Sequence, residues 1–362
     1  MAVTKLKPVA SMRANELDVE GEARVYRSLR HFWHVVAYSH EVTEKPIGFT
    51  LCDQDIVIVR MRGEISVFDD LCPHRGTRLS LGSVKETKDG NCRLECPYHG
   101  WQFDSSGDLK LAPQRPDLAG HLRASVRKYQ SVEKYGMVWV CLEDKPHYPL
   151  PEFHLWDDPS FHYVAVPSED WACSAPRRVE NYTDYSHFAI LHDGFLGDAT
   201  VPEVPAHEVW RNENKLENKQ GEGAWVRVPI DTAAWGGKEM PTDPYIRFLV
   251  DWRVFMPLTC VLNILFQDGN RYNLIFHPTP MNAKKIRNFT VATRDFGDPA
   301  QKDTELAGFV KFIYDQDKAV VESQRPEELP EDLTVEMHVK GVDKYSVEYR
   351  RWLLELSNQL AR

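Results

Sequence analysis

Short alternating runs of apolar and polar residues dominate the chain from position 48 to 142. "GFTLCD", "DIVIVRMR", "EISVFDD", "WQFDSSGDLKLA" and "KYGMVWVCLED" show the strand-like alternation of a half-buried sheet, and Gly, Asp, Asn and Ser separate them. The pattern predicts a small all-β domain. It gives out at "DKPHYPLPEFHLWDDPSFHY" (144–163), where no periodicity survives and the X-Pro steps disfavour helix, so this segment reads as a connector. The boundary expected near 160 divides the chain into an N-terminal extension (1–30), a β domain (31–160) and a second domain (161–362).

The second domain mixes periods. "SAPRRVENYTDYSHFAIL" predicts a helix, "YIRFLVDWRVFMPLTCVLNILFQDG" and "NLIFHPTP" predict strands, a long helix is expected from about 303 to 324, and "VEYRRWLLELSNQL" predicts a last one. Strands followed by a long helix predict an α+β domain of helix-grip type, in which a curved antiparallel sheet wraps a helix. A chain of 362 residues is long enough to bury two cores.

Composition narrows the function. Forty-four Lys and Arg against 54 Asp and Glu give a formal charge of −10, which disfavours nucleic-acid backbones and anionic membrane surfaces. No stretch approaches the roughly 20 apolar residues that span a bilayer, and "MAVTKLKPVASMRANELDVEGEARVYRS" lacks the apolar core of a signal peptide. A cytoplasmic protein is expected. The seven cysteines (52, 72, 92, 96, 141, 173 and 260) are odd in number and scattered, so a disulfide framework is not expected and metal ligation better explains any that cluster.

Only the region from 72 to 99 clusters. Cys72 and His74 form one short pair, and Cys96 and His99 a second. Two thiolates with two imidazoles suit either a structural zinc ion or a [2Fe–2S] cluster in which two His replace two Cys on one iron. Zinc fingers commonly pair like ligands, whereas each pair here contributes one Cys and one His, and this spacing favours the cluster. Cys92 has no His two or three residues downstream and reads as a small side chain on the strand entering the second loop.

"CPHRG" followed by "CPYHGWQFD" resembles the Rieske motif C-x-H…C-x2-H, including the Gly-Trp after the second His. The resemblance implies a Rieske domain holding a [2Fe–2S] cluster on Cys72, His74, Cys96 and His99. The 21 residues between His74 and Cys96 exceed the usual family spacing, and the surplus "KETKDGN" reads as a solvent loop.

A second constellation follows the connector. Ser174 is placed to cap a helix with Pro176 in its first turn, and Asn181, Asp184 and His187 fall at i, i+3 and i+6. His192 lies about 140° further round a regular helix, so it meets the same ion only if the helix unwinds or bulges. On the long helix, Asp317 sits on the apolar stripe of Leu306, Val310, Ile313, Val320 and Val321, where a carboxylate is costly unless paired or bound to metal. Asp315 shares its face with Lys311, Lys318 and Glu322 and reads as solvated.

"NYTDYSHFAILH" is similar to the N/E-x2-D-x2-H-x4-H segment of Rieske oxygenases, and "DQDKAVVESQ" resembles their D-K-x-V-x-E segment. The resemblance implies that His187, His192 and Asp317 form a two-His, one-carboxylate site for a mononuclear Fe(II) that uses O2. It further implies that Asn181 lies near the iron, and that Asp184 bridges His187 to the cluster ligand His99 of a neighbouring subunit, in a homotrimer. Across the chain, "LRHFWH", "VENYTDYSHFAILH" and "YRRWLLEL" resemble the monooxygenase branch, which includes vanillate and dicamba O-demethylases and, more narrowly, methylxanthine N-demethylases.

The implied function is a terminal oxygenase that hydroxylates a small aromatic or heterocyclic substrate, with oxidative N- or O-demethylation releasing formaldehyde. The chain shows no G-x-G-x-x-G after a strand, no flavin signature and no second cysteine cluster, so electrons from NAD(P)H are expected only through a separate reductase or ferredoxin. The apolar run from Leu249 to Phe276 suits a flat apolar substrate and an ordinary sheet core equally. Three alternatives stand beside this reading: a ring-hydroxylating dioxygenase, a Rieske electron carrier without its own oxygenase site, and a zinc-stabilised binding protein.

Overall fold

The computed structural model describes residues 19–88, 90–221, 225–229, 243–297 and 299–361. The chain forms two compact units, one of Leu29–Leu150 and one that joins Pro151 onward to the segment ending at Ser28. The boundary falls at 150/151, where the loss of periodicity suggested about 160. Phe153 packs edge-on against Phe255 with ring centroids 5.8 Å apart, which ties the proline-rich connector to the second unit.

The Leu29–Leu150 unit is all β. Strands β1 (His34–Tyr38), β2 (Ile47–Leu51), β3 (Gln54–Met61), β4 (Glu64–Asp69), β5 (Ser83–Glu86), β6 (Cys92–Glu95), β7 (Gln102–Phe103), β8 (Leu109–Leu111), β9 (Gln130–Lys134) and β10 (Met137–Cys141) build antiparallel sheets β1-β10-β9, β2-β3-β4 and β5-β6-β7-β8. Val57, Val59, Phe68, Leu94 and Phe103 form its apolar floor together with Cys72 and Cys96. The long insertion between the two Cys/His pairs is a hairpin rather than a loose loop. Glu86 pairs with Cys92 and Ser83 with Glu95, and the Thr87 amide donates to the Asn91 carbonyl at 2.7 Å, so pairing extends past the strands. Cys92 is half-buried on β6 against the same apolar floor.

The other unit begins with α1 (Val19–Ser28) and is built on one antiparallel sheet. Its strands are β11 (His162–Trp171), β12 (His207–Asn212), β13 (Lys215–Gln220), β14 (Val226–Pro229), β15 (Tyr245–Phe255), β16 (Thr259–Phe266), β17 (Arg271–Asn282) and β18 (Lys285–Arg294). They run in the order β11-β18-β17-β16-β15-β13-β12, with β14 also paired to β15. The helices are α2 (Ala175–Thr183), α3 (Phe188–Leu191), α4 (Pro299–Ser323) and α5 (Lys344–Leu360). Helix α2 contacts β16 and β17, α4 contacts β11 and α2, and α5 contacts α1 and α2.

Register brings one row of the sheet beneath α2 and α4. Trp252, Leu262 and Leu274 stand opposite one another on β15, β16 and β17, and Ile264 faces Tyr272 in the next row. Alternation along β17 puts Tyr272, Leu274 and Phe276 on one face, where Phe276 stacks on Tyr182 of α2 at 4.2 Å. Among the described residues no helix is long and apolar enough to cross a membrane.

Candidate cluster and metal centres

Two loops of matching geometry carry the Cys/His pairs. The Cys72 amide donates to Thr77 O and the Gly76 amide to Cys72 O; the Cys96 amide donates to Trp101 O and the Gly100 amide to Cys96 O. Gly76 and Gly100 close these turns at φ of +69° and +71°, a conformation in which a Cβ is strained. Both cysteines are buried, and the two imidazoles stand edge to face with centroids 4.5 Å apart. Trp101 stacks flat on His74 at 4.4 Å, and Gln114 donates to the His99 carbonyl at 2.8 Å.

This arrangement fits a cluster held by two sulfurs and two nitrogens. Burial, with the Cys96 thiol close by, pushes the Cys72 thiol up to about 11. The buried Nδ1 of His74 has no partner within the protein. Such a cost is sensible where a metal completes the set.

The second site depends on a break in a helix. Ser174 caps α2, its hydroxyl accepting from the Arg177 amide, and the helix ends at Asp184, which adopts an extended conformation. Asp184 then accepts the Ser186 amide through Oδ1 at 2.8 Å, turning the chain so that His187 becomes the N-cap residue of α3. The required unwinding therefore lies between Asp184 and His187. It brings His187 and His192 to ring centroids 5.0 Å apart.

His187, His192 and Asp317 place their ligand atoms within 4.8 Å of one another. Asp317 Oδ1 lies 3.1 Å from His192 Nε2 and 3.7 Å from His187 Nε2. The far nitrogen of each ring is engaged: His187 Nδ1 meets Asp184 Oδ2 at 3.0 Å and His192 Nδ1 meets Gln316 Oε1 at 2.7 Å. Nδ1–H donation to these oxygens leaves both Nε2 lone pairs free for a metal. Burial raises the Asp317 carboxyl, and the buried Arg178 cation is among the groups that outweigh it and hold the carboxyl below the ordinary carboxylate range. Three convergent donors of this chemistry fit a non-heme Fe(II) with open positions.

The other sequence candidates lie close by. Asn181 donates through Nδ2 to Asp317 Oδ1 at 3.4 Å, and Asp184 is half-buried beside His187. Asp315 pairs with Lys311 on the exposed side of α4. Gln316 and Arg178 were not among the expected site residues.

Gly197 packs tightly against α3. A Cβ there would come 2.6 Å from Ala189 Cα and 2.8 Å from the Phe188 carbonyl carbon. Gly197→Ala is therefore expected to push the 193–198 segment off α3, costing about 1–3 kcal/mol. Thermal melting and mononuclear iron content check it, and both should fall together.

Residues 32–130 match the Rieske [2Fe-2S] domain family, and residues 171–359 match the vanillate O-demethylase oxygenase C-terminal domain. Methylxanthine N3-demethylase NdmB of Pseudomonas putida is 34% identical over 338 residues, covering 91% of this chain and 90% of that protein. The chain belongs to the Rieske non-heme iron oxygenases. Methylxanthine N1-demethylase NdmA of the same species is 30% identical over 91% of this chain and 89% of its own. The solved structure of NdmB superposes with a TM-score of 0.78 at 31% identity, covering 98% and 95% of the two chains. The dicamba monooxygenase structure, at 22% identity and a TM-score of 0.71, shares the fold. This Rieske oxygenase is thus a monooxygenase of the demethylase branch, with a [2Fe–2S] cluster domain at its N-terminal end.

Proposed function

We propose that the enzyme removes an N-methyl group, as formaldehyde, from a neutral, flat heterocycle. The cavity beside His187, His192 and Asp317 carries this reading. Tyr182, Trp252, Leu262, Leu274, Phe276 and Val310 are among its walls. Among the described residues no Lys or Arg lines it. A methoxybenzoate would bring a carboxylate into this apolar enclosure without a counter-charge, at high cost. Trp252 and Tyr272 line the cavity, and their Nε1 and Oη atoms are buried without a protein partner.

In this reading Cys72, His74, Cys96 and His99 hold the cluster, and His187, His192 and Asp317 hold a mononuclear Fe(II). When bound, these groups supply single electrons and the activation of O2 that places one oxygen atom on the methyl carbon. The protein orients the methyl group toward the Nε2 and Oδ1 donors and keeps water out with apolar walls. With one O2, two electrons and two protons, the N-methyl compound yields the demethylated N–H compound, formaldehyde and water. Asp184 links His187 of one subunit to the cluster ligand His99 of a neighbour, in a homotrimer fed by a separate reductase or ferredoxin that draws on NAD(P)H. Asn181 sits behind the ligand set and steadies Asp317.

Oxygen uptake with formaldehyde detection, across N-methylxanthines, methoxybenzoates and unmethylated aromatics with a reductase supplied, tests the proposal. Formaldehyde is expected from the N-methyl heterocycles and not from the benzoates. Diol products without formaldehyde would instead mark a ring dioxygenase.

A further inference from the structure

Arg178 is fully buried in the second turn of α2, and charged side chains are rarely found so unless paired. Its guanidinium carbon lies 3.9 Å from the ring centroid of Trp171, 4.0 Å from Tyr182 and 4.6 Å from Tyr314, so aromatic faces surround the cation. These rings cannot accept in-plane hydrogen bonds, and Nε and Nη2 have no partner. The guanidinium makes its hydrogen bonds through Nη1, which donates to Asp317 Oδ2 at 3.1 Å and to Asn181 Oδ1.

The two oxygens of Asp317 therefore have separate tasks. Oδ1 faces the Nε2 atoms of both histidines, while Oδ2 is turned to the arginine. A metal gripped by both oxygens would have to compete with a buried cation for Oδ2. We propose that Arg178 is a positioning residue that fixes Asp317 as a one-oxygen ligand and so preserves an open metal position for O2. A merely structural filler here would be cheaper as an apolar side chain, because an arginine with unmade hydrogen bonds is costly to bury. The aromatic faces and the Asn181 bond hold the cation beside Oδ2.

The inference rests on reading His187, His192 and Asp317 as a metal site, and the test separates the two. The full-length protein is stripped of mononuclear iron, its cluster kept oxidised and EPR-silent, and titrated with Co(II). Arg178→Met is expected to weaken Co(II) binding 10- to 100-fold and to change its EPR signal. Arg178→Lys, which keeps one N–H for Oδ2, is expected to restore the wild-type signal. Wild-type affinity and signal in Arg178→Met would overturn the assignment, as would a Lys variant as impaired as the Met variant. If Arg178→Met does not fold, the Lys variant decides alone: a wild-type signal supports the assignment and an altered one overturns it. Retention of Co(II) by His187→Ala would instead overturn the metal site itself.

Discussion

Replacing Asp317 by Ala is expected to lower turnover by more than about a thousandfold, roughly 4 kcal/mol in the barrier, while the visible spectrum of the [2Fe–2S] cluster stays as in wild type. The cysteines of the cluster belong to the apolar floor of the Leu29–Leu150 unit, and Asp317 lies on α4 of the other unit. Under the proposed assignment, loss of this one carboxylate removes a mononuclear iron ligand and leaves the core that carries the Cys/His loops unchanged. Ala has a second effect that Asn does not share. It leaves Arg178 buried without a carboxylate, which costs about 3–5 kcal/mol, whereas Asn keeps an oxygen for Nη1. Asp317→Asn should thus lose mononuclear iron and turnover but melt closer to wild type than Asp317→Ala. Iron analysis, formaldehyde assays and melting curves check this, and bleaching of the cluster in either variant would sink the assignment of two separate sites.

The two Cys/His pairs were legible in the sequence as neighbouring side chains because each lies within four residues and one turn holds it. The burial of Asp317 was legible for a different reason: its place on an apolar helix stripe, where a carboxylate needs a partner, and it lies buried beside Arg178. The break in α2 was legible only as a requirement of the His187–His192 spacing. Its cause, the Asp184 side chain accepting the Ser186 amide, is a local turn that a D-x-S spacing can signal. Arg178 and Gln316 were out of reach because their bonds to Asp317 and His192 join residues 139 and 124 positions apart. The apolar run from Leu249 to Phe276 was ambiguous between pocket and core. Register resolves it, since Trp252, Leu262, Leu274 and Tyr272 turn one face to the cavity that α2 and α4 cover.

Replacing Arg350 by Met is expected to destabilise the protein by about 3–5 kcal/mol, the largest loss predicted for a residue outside both sites. Arg350 of α5 grips Glu180 of α2 with two bonds of 2.7 Å and reaches Glu336 at 2.5 Å. Arg177 holds the other side of Glu336 at 2.5 Å, and His338 lies near the group. Without Arg350, two nearly buried carboxylates face a single cation. Burial raises the Glu336 carboxyl, but the hydrogen bond from Arg177 and the charges of Arg177 and Arg350 hold it below the usual glutamate range. A depressed carboxyl contributes stability that is complete above the unfolded value of about 4.3 and is lost as pH falls through the folded one. Wild type should therefore weaken on acidification through that window, and the variant less steeply. Urea unfolding midpoints at neutral pH and below about pH 4.3 measure the gap, which should be widest at neutral pH and narrow in acid; a gap independent of pH would assign the loss to packing. Because the same bonds clamp α2, which carries Arg178 and Asn181, mononuclear iron content should fall in step with stability.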